Sequence, residues 1–399
     1  MLTDLGWTLD PSINFLNHGS YGACPRDVLV VQRTWRDRME RGPVAFLGRE
    51  LEGHLDTARE HVAAFLGADP DGLAFVANAT SGVNAVLHSL RFEPGDELLS
   101  DDHEYNATLN ALAAVADRDR ARVTLAALPF PVADPDEIVA GFLAALTPRT
   151  RLVLVSHVTS PTGLVLPIER LVRELDDRGV DTLVDGAHAP GMLPLALDAL
   201  GAAYYTGNGH KWLCGPKGSA FLWVRADRRD RVRPTTISHG ANDPRLDRSR
   251  YRLEFDWTGT ADPTAALTLP AAIDWMAARE PGGWPGVMAA NHDLAVVGRD
   301  LVAAAIGVQP PAPDLMLGSM ATLPLPRPRG DDAAAERLQG ALLEDGIEVP
   351  VLGWPVRAAR ARPDDPPRGV VIRLSAQRYN EPADYEGLAS ALSRRLTEA

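Results

Sequence analysis

A chain of 399 residues, 45% hydrophobic and 23% charged, is long enough for two or three domains and for a core that needs neither disulfides nor structural metal. Its net charge of -13 provides no general positive field to neutralise phosphates, which argues against nucleic acid as a partner. Two cysteines, Cys24 and Cys214, exclude a disulfide framework and a Cys-rich zinc module and suit a reducing cytoplasm. No signal peptide is expected from the opening Met1-Leu2-Thr3-Asp4, and no apolar run approaches the roughly 20 residues of a membrane helix.

Along the chain, short apolar runs alternate with longer amphipathic ones. Strands are expected at residues 72–78, 97–102, 122–128, 151–158, 181–185, 202–207 and 218–224, with helices at 81–90, 136–146 and 168–178 between them. Strand–helix alternation with runs such as Leu152-Val153-Leu154-Val155 predicts a mainly parallel seven-stranded sheet covered on both faces. Only a Gly-rich loop separates the last two strands, so one strand should run antiparallel. After residue 262, Ala- and Leu-rich helical text leads into helix, strand, helix, strand, helix, ending on residues 370–374 and a helix near 384–396. The Arg, Pro and Asp of 355–368 suggest an exposed loop. The expected layout is an N-terminal arm over 1–20, a large α/β domain over 21–262, and an interdomain helix with a small α/β domain over 263–399.

One imbalance directs attention to a single side chain. The basic residues comprise 38 arginines and two lysines, Lys211 and Lys217, where about twenty lysines would be ordinary. A lysine kept on an arginine surface can do what guanidinium cannot: lose its proton and form an imine. Lys217 precedes a turn glycine and carries no further signal. Lys211 stands in Gly209-His210-Lys211-Trp212, just after a predicted strand. Upstream, Asp185 ends another strand in Asp185-Gly186-Ala187-His188, at the sheet edge where ligands of such folds bind. A carboxylate to hold a protonated pyridine nitrogen and an imine-forming lysine are two groups that pyridoxal phosphate needs. The third is a phosphate cradle, and Asn78-Ala79-Thr80-Ser81-Gly82 offers hydroxyls and free N–H groups at a helix start.

At these residues the chain resembles the fold-type I pyridoxal-phosphate enzymes of aminotransferase class V, the family of the cysteine desulfurases, and within it the isopenicillin N epimerase-like group. The resemblance extends through Leu16-Asn17-His18-Gly19-Ser20-Tyr21-Gly22, Asp102-His103-Glu104-Tyr105-Asn106, Ser156-His157-Val158-Thr159-Ser160 and Trp257-Thr258-Gly259-Thr260. It implies Lys211 as imine former and proton-transfer base, and Asp185 on the pyridinium nitrogen. His188 would meet the cofactor's phenolic oxygen, and Tyr105 would stack on its ring. Ala79, Thr80, Asn208 and His210 would hold the phosphate, joined by Thr260 from the neighbouring subunit of a homodimer. Ser160 would line the cofactor site, Asn17 and His18 the substrate site, and Arg373 would take the substrate α-carboxylate. The implied reaction occurs at Cα of an amino-acid-type substrate through an external aldimine and a carbanion. Epimerisation, C–S β-elimination, decarboxylation with oxidative deamination and, ranked lower, transamination all use this apparatus. No cysteine follows Cys214, so the persulfide nucleophile of the desulfurases is missing. Asp101, Asp102, His103 and Glu104 lack a second His or Cys at ligand spacing, and no metal is expected.

Overall fold

A computed structural model describes residues 6–326, 332–355 and 369–398. Strands β1 (Leu73–Val76), β2 (Glu97–Asp101), β3 (Arg122–Ala126), β4 (Thr150–Ser156), β5 (Asp181–Asp185), β6 (Tyr204–Asn208) and β7 (Ala220–Val224) form one seven-stranded sheet in the order β1-β7-β6-β5-β4-β2-β3. Only β7 runs against the others, pairing antiparallel with β1 and β6. Each predicted strand is present, with ends shifted by a few residues. The third stops at Ala126 rather than 128, because the Leu128 N–H leaves the ladder to donate to the Asp102 carboxylate at 3.0 Å.

Side chains alternate across the sheet with period two. Leu98, Leu152, Leu154 and Leu183 face helices α1 (Ala79–Ser89) and α2 (Asn106–Asp119), whereas Leu99, Val153, Val155 and Val184 face α3 (Pro135–Ala145) and α4 (Ile168–Asp176). Both sets are buried, which explains the unbroken apolar text of these strands. Asp134 starts α3 with a capping box to Glu137 and Pro135 at the first helical position.

A second core gathers around the antiparallel sheet of β8 (Met320–Pro324), β9 (Val351–Trp354) and β10 (Gly369–Ser375), in the order β9-β10-β8. It is covered by α5 (Trp284–Ile306), α6 (Asp332–Glu344) and α7 (Pro382–Glu398). The segment read as an N-terminal arm is stitched to this core, since Asn14–Phe15 pairs in parallel with Ile347–Glu348 and Leu16 is fully buried there. The predicted loop at 355–368 lies, from 356 onward, outside the described residues. Among the described residues no helix is long and apolar enough to cross a membrane.

Candidate active site

Parallel strands bring Asp101, Ser156, Asp185 and Asn208 to one edge of the sheet, and the reversed β7 begins at that edge. The loop from Gly209 to Ser219 is tied across its neck by the Gly209 N–H to the Ser219 carbonyl and the Gly215 N–H to the Gly209 carbonyl, both 2.9 Å. Two glycines at positive φ support it. A Cβ on Gly22 (φ +70°) would lie 2.1 Å from the His210 carbonyl, and one on Gly191 (φ +85°) 2.6 Å from the Trp212 backbone. Lys211 is therefore presented on a rigid turn. Cys214 packs beneath it, fully buried.

The Lys211 amine lies 3.0 Å from His188 Nε2. On the other side of that imidazole, the Trp212 indole N–H donates to Nδ1 at 3.3 Å. Burial, followed by repulsion from Arg373, lowers the Lys211 pKa to about 7, against the pull of Asp185. Burial holds His188 well below its ordinary range, with Lys211 and Arg373 adding to the effect. Asp185 accepts from the Ala187 N–H at 2.9 Å and the Thr108 hydroxyl at 3.2 Å. Burial raises its pKa, while those donors and Lys211 oppose the rise. Lys211 and His188 are thus in contact, and Asp185 lies close enough to bear on the lysine's charge.

The cradle differs in detail. The Ala79 N–H donates to Asn208 Oδ1 at 2.9 Å, so these two predicted phosphate ligands satisfy each other and Asn208 keeps its amide N–H groups to offer. The Ser81 N–H is capped by Asn78 at 2.8 Å. Thr80 is left with its N–H and hydroxyl unpartnered among the described residues, at the positive end of α1. His210 donates from Nδ1 to the Ser219 carbonyl at 3.1 Å, and burial lowers its pKa to about 4.

Arg373, on β10, is 4% exposed, and among the described residues no carboxylate pairs with it. Its guanidinium donates to the Ser160 carbonyl, to Ser160 Oγ at 3.3 Å and to Ser20 Oγ at 3.1 Å, while Nε has no partner among the described residues. Burial depresses its pKa to about 10. A buried cation without a counter-charge costs several kcal/mol, and an arriving carboxylate removes that cost. Ser160, expected at the cofactor, instead holds this arginine. Asn17 acts one step back: its amide donates to Glu348 at 3.1 Å and it accepts from the Ser20 hydroxyl.

His18 corrects the sequence reading. It is fully buried, with Nδ1 2.9 Å from the Tyr379 hydroxyl and Nε2 3.1 Å from the Lys211 carbonyl, so it braces the lysine turn rather than facing substrate. Tyr105 is 48% exposed and close enough to Arg373 to bear on its charge. The neighbouring Glu104 is fully buried; Oε1 accepts from the Tyr105 N–H at 2.7 Å and from Ser156 Oγ at 2.8 Å, while Oε2 has no partner among the described residues. Burial, then the charges of Asp185 and Asp101, push its pKa well above the usual carboxylate range. Thr260 is exposed, beside a groove lined by Val44, Leu47 and Trp257. Ser20, Thr108, Glu104 and Trp212 were missed as functional side chains, although all but Thr108 lie inside the motif text quoted above.

A buried lysine amine, a buried strand-end carboxylate, a helix start with free N–H and hydroxyl groups and an arginine with no carboxylate partner among the described residues are the groups that a fold-type I pyridoxal-phosphate enzyme needs, and that is the class of this protein. The chain belongs to the aminotransferase class-V family, which matches residues 38–320. It is 39% identical to the isopenicillin N epimerase of Amycolatopsis lactamdurans, over 96% of each chain. With the isopenicillin N epimerase of Streptomyces clavuligerus it shares 37%, over 96% of this chain and 95% of that one. The probable chloroplastic L-cysteine desulfhydrase of Arabidopsis thaliana is 32% identical, over 96% of this chain and 83% of that one. Among solved structures, the cystine C–S lyase C-DES has the same fold with a TM-score of 0.77 at 22% identity, covering 96% of this chain and 98% of that one.

The cofactor is pyridoxal 5'-phosphate, and the residues present fit it: Asp185 would take the ring nitrogen, the Thr80 N–H and hydroxyl with the Asn208 amide the phosphate, and Lys211 the aldehyde carbon, whereas a neutral His210 has its one N–H on the Ser219 carbonyl. A pH dependence follows from the lysine. Because its pKa is lowered to about 7, the neutral amine predominates above that pH. Uptake of the cofactor by the apoprotein should accelerate as pH rises through 7 and then level off. Absorbance-monitored mixing across pH 5–10 checks this, and a rise deferred to the ordinary lysine range near pH 10 would contradict the lowered value.

Proposed function

We propose that the protein moves the proton at Cα of an amino-acid-type substrate, inverting that centre as an isopenicillin N epimerase does. The observation that carries the reading is Arg373, a buried guanidinium with no carboxylate partner among the described residues, together with a lysine whose amine loses its proton near pH 7. Arg373 anchors the substrate α-carboxylate through its unfilled donors. Pyridoxal phosphate, when bound, delocalises the electron pair left at Cα. Asp185 holds a proton on the ring nitrogen, and Thr108 and the Ala187 N–H keep that carboxylate in place. Lys211 Nζ takes the Cα proton, and inversion requires that a proton return on the opposite face. Ser160 and Ser20 keep Arg373 in position meanwhile.

The relatives at 39% and 37% identity support epimerisation. The desulfhydrase relative favours a second reading, β-elimination from an S-substituted cysteine, which begins with the same proton removal. Neither thiol suits a persulfide mechanism: both are buried, Cys24 is raised to about 12 and Cys214 well above its usual range. The working form in this reading is a homodimer in the cytoplasm, in which Thr260 serves the partner's phosphate site. Exposed Val44 and the groove beside Thr260 support such a contact.

Holoenzyme incubated with L-amino acids and short peptides in heavy water tests the reaction. Epimerisation yields one deuterium at Cα with loss of optical purity and no other mass change. Pyruvate and a released thiol would establish the lyase instead. A new keto acid without Cα deuterium in the recovered amino acid would overturn both.

A further inference from the structure

We propose that Trp212 fixes the tautomer of His188, so that beside a neutral Lys211 amine the ring proton sits on Nε2, facing Lys211. The proposal builds on the reading of Lys211 and His188 as the groups that handle the cofactor. An indole nitrogen has a proton and no lone pair to offer, so it can only donate. With Trp212 Nε1 3.3 Å from Nδ1, that nitrogen must supply a lone pair. A neutral imidazole then has its one proton on Nε2, 3.0 Å from the Lys211 amine, whose lone pair accepts it above about pH 7. The opposite tautomer would point two N–H groups at each other in a buried site and leave both unsatisfied.

The arrangement is held from several directions. Lys211 and Trp212 are adjacent, so one rigid turn supplies the groups on both nitrogens of the same ring. The Trp212 ring is 1% exposed and rests 4.8 Å from the His18 ring, which itself donates from Nε2 to the Lys211 carbonyl. Burial keeps the His188 ring neutral, so both nitrogens are not protonated together. His188 can thus donate from Nε2 to an oxygen that gains negative charge but cannot take a proton there. Acid–base work at Cα is thereby left to other groups, Lys211 first. Trp212 is a positioning residue for this chemistry, acting through His188.

Nitrogen NMR of the apoprotein labelled at histidine and tryptophan tests the assignment, with the His188→Gln variant identifying the His188 ring signals. The wild type should show a single Nε2–H tautomer and a scalar coupling from Trp212 Nε1–H to His188 Nδ1. Trp212→Phe keeps an aromatic ring and removes the N–H; it should lose the single-tautomer pattern and give a mixture. An Nδ1–H tautomer in the wild type, absence of the coupling, or an unchanged Nε2–H pattern in Trp212→Phe would overturn the proposal. If the variant fails to fold, the two wild-type measurements decide. Neither bears on epimerisation, which the heavy-water experiment tests separately.

Discussion

Lys211→Arg lowers turnover by about 10⁴-fold or more while the protein remains folded. Arginine preserves a positive charge and much of the stem, but guanidinium keeps its proton and forms no imine. The turn around the lysine does not depend on its side chain, because its ties are between backbone groups and its supports are Gly22, Gly191 and His18. Circular dichroism should therefore match the wild type while cofactor absorbance in the visible range is lost. Borohydride reduction of the loaded wild type, followed by peptide mapping, should label Lys211. Lys217 is committed elsewhere, donating to the Gly22 carbonyl at 2.7 Å. A label at Lys217, or Lys211→Arg turnover within tenfold of the wild type, would contradict the assignment.

Asp185→Asn slows Cα deuterium exchange by about 10²- to 10³-fold but leaves the cofactor bound. The amide is nearly isosteric, and its oxygen can still accept from the Ala187 N–H. The Thr108 hydroxyl can reverse to accept from the new amide. What is lost is the negative charge that keeps the ring nitrogen protonated. The phosphate donors proposed at Thr80 and Asn208 are untouched, so the cofactor should still titrate, with affinity reduced by about tenfold. A second sign separates this role from a structural one. Asp185 raises the Lys211 pKa, so removing its charge should move the acceleration of cofactor uptake to lower pH. Near-normal exchange, or an upward move of that limb, would refute the electron-sink role.

The parts of this site that are legible in the sequence are those in which residue type alone carries the chemistry. A strand-ending Asp185, a lysine in a chain nearly without lysines and a hydroxyl-rich helix start each point locally to a chemistry. The sheet is legible for the same reason: Leu152 to Val155 have no polar face to turn outward, so they must lie between two helical layers. Partner choice is different, because it depends on segments that are remote in the chain. Arg373 meets Ser160 and Ser20 across 213 and 353 positions, and Ala79 meets Asn208 across 129. His18 looked like a substrate ligand because histidine serves equally as ligand and as buried brace. Only the closing of the first segment onto Tyr379 and the Lys211 carbonyl decided between them. Local sequence dictates which chemistry is available at each strand end. Tertiary packing decides which donors are already spent, since a hydrogen bond used inside the protein is no longer there for a ligand.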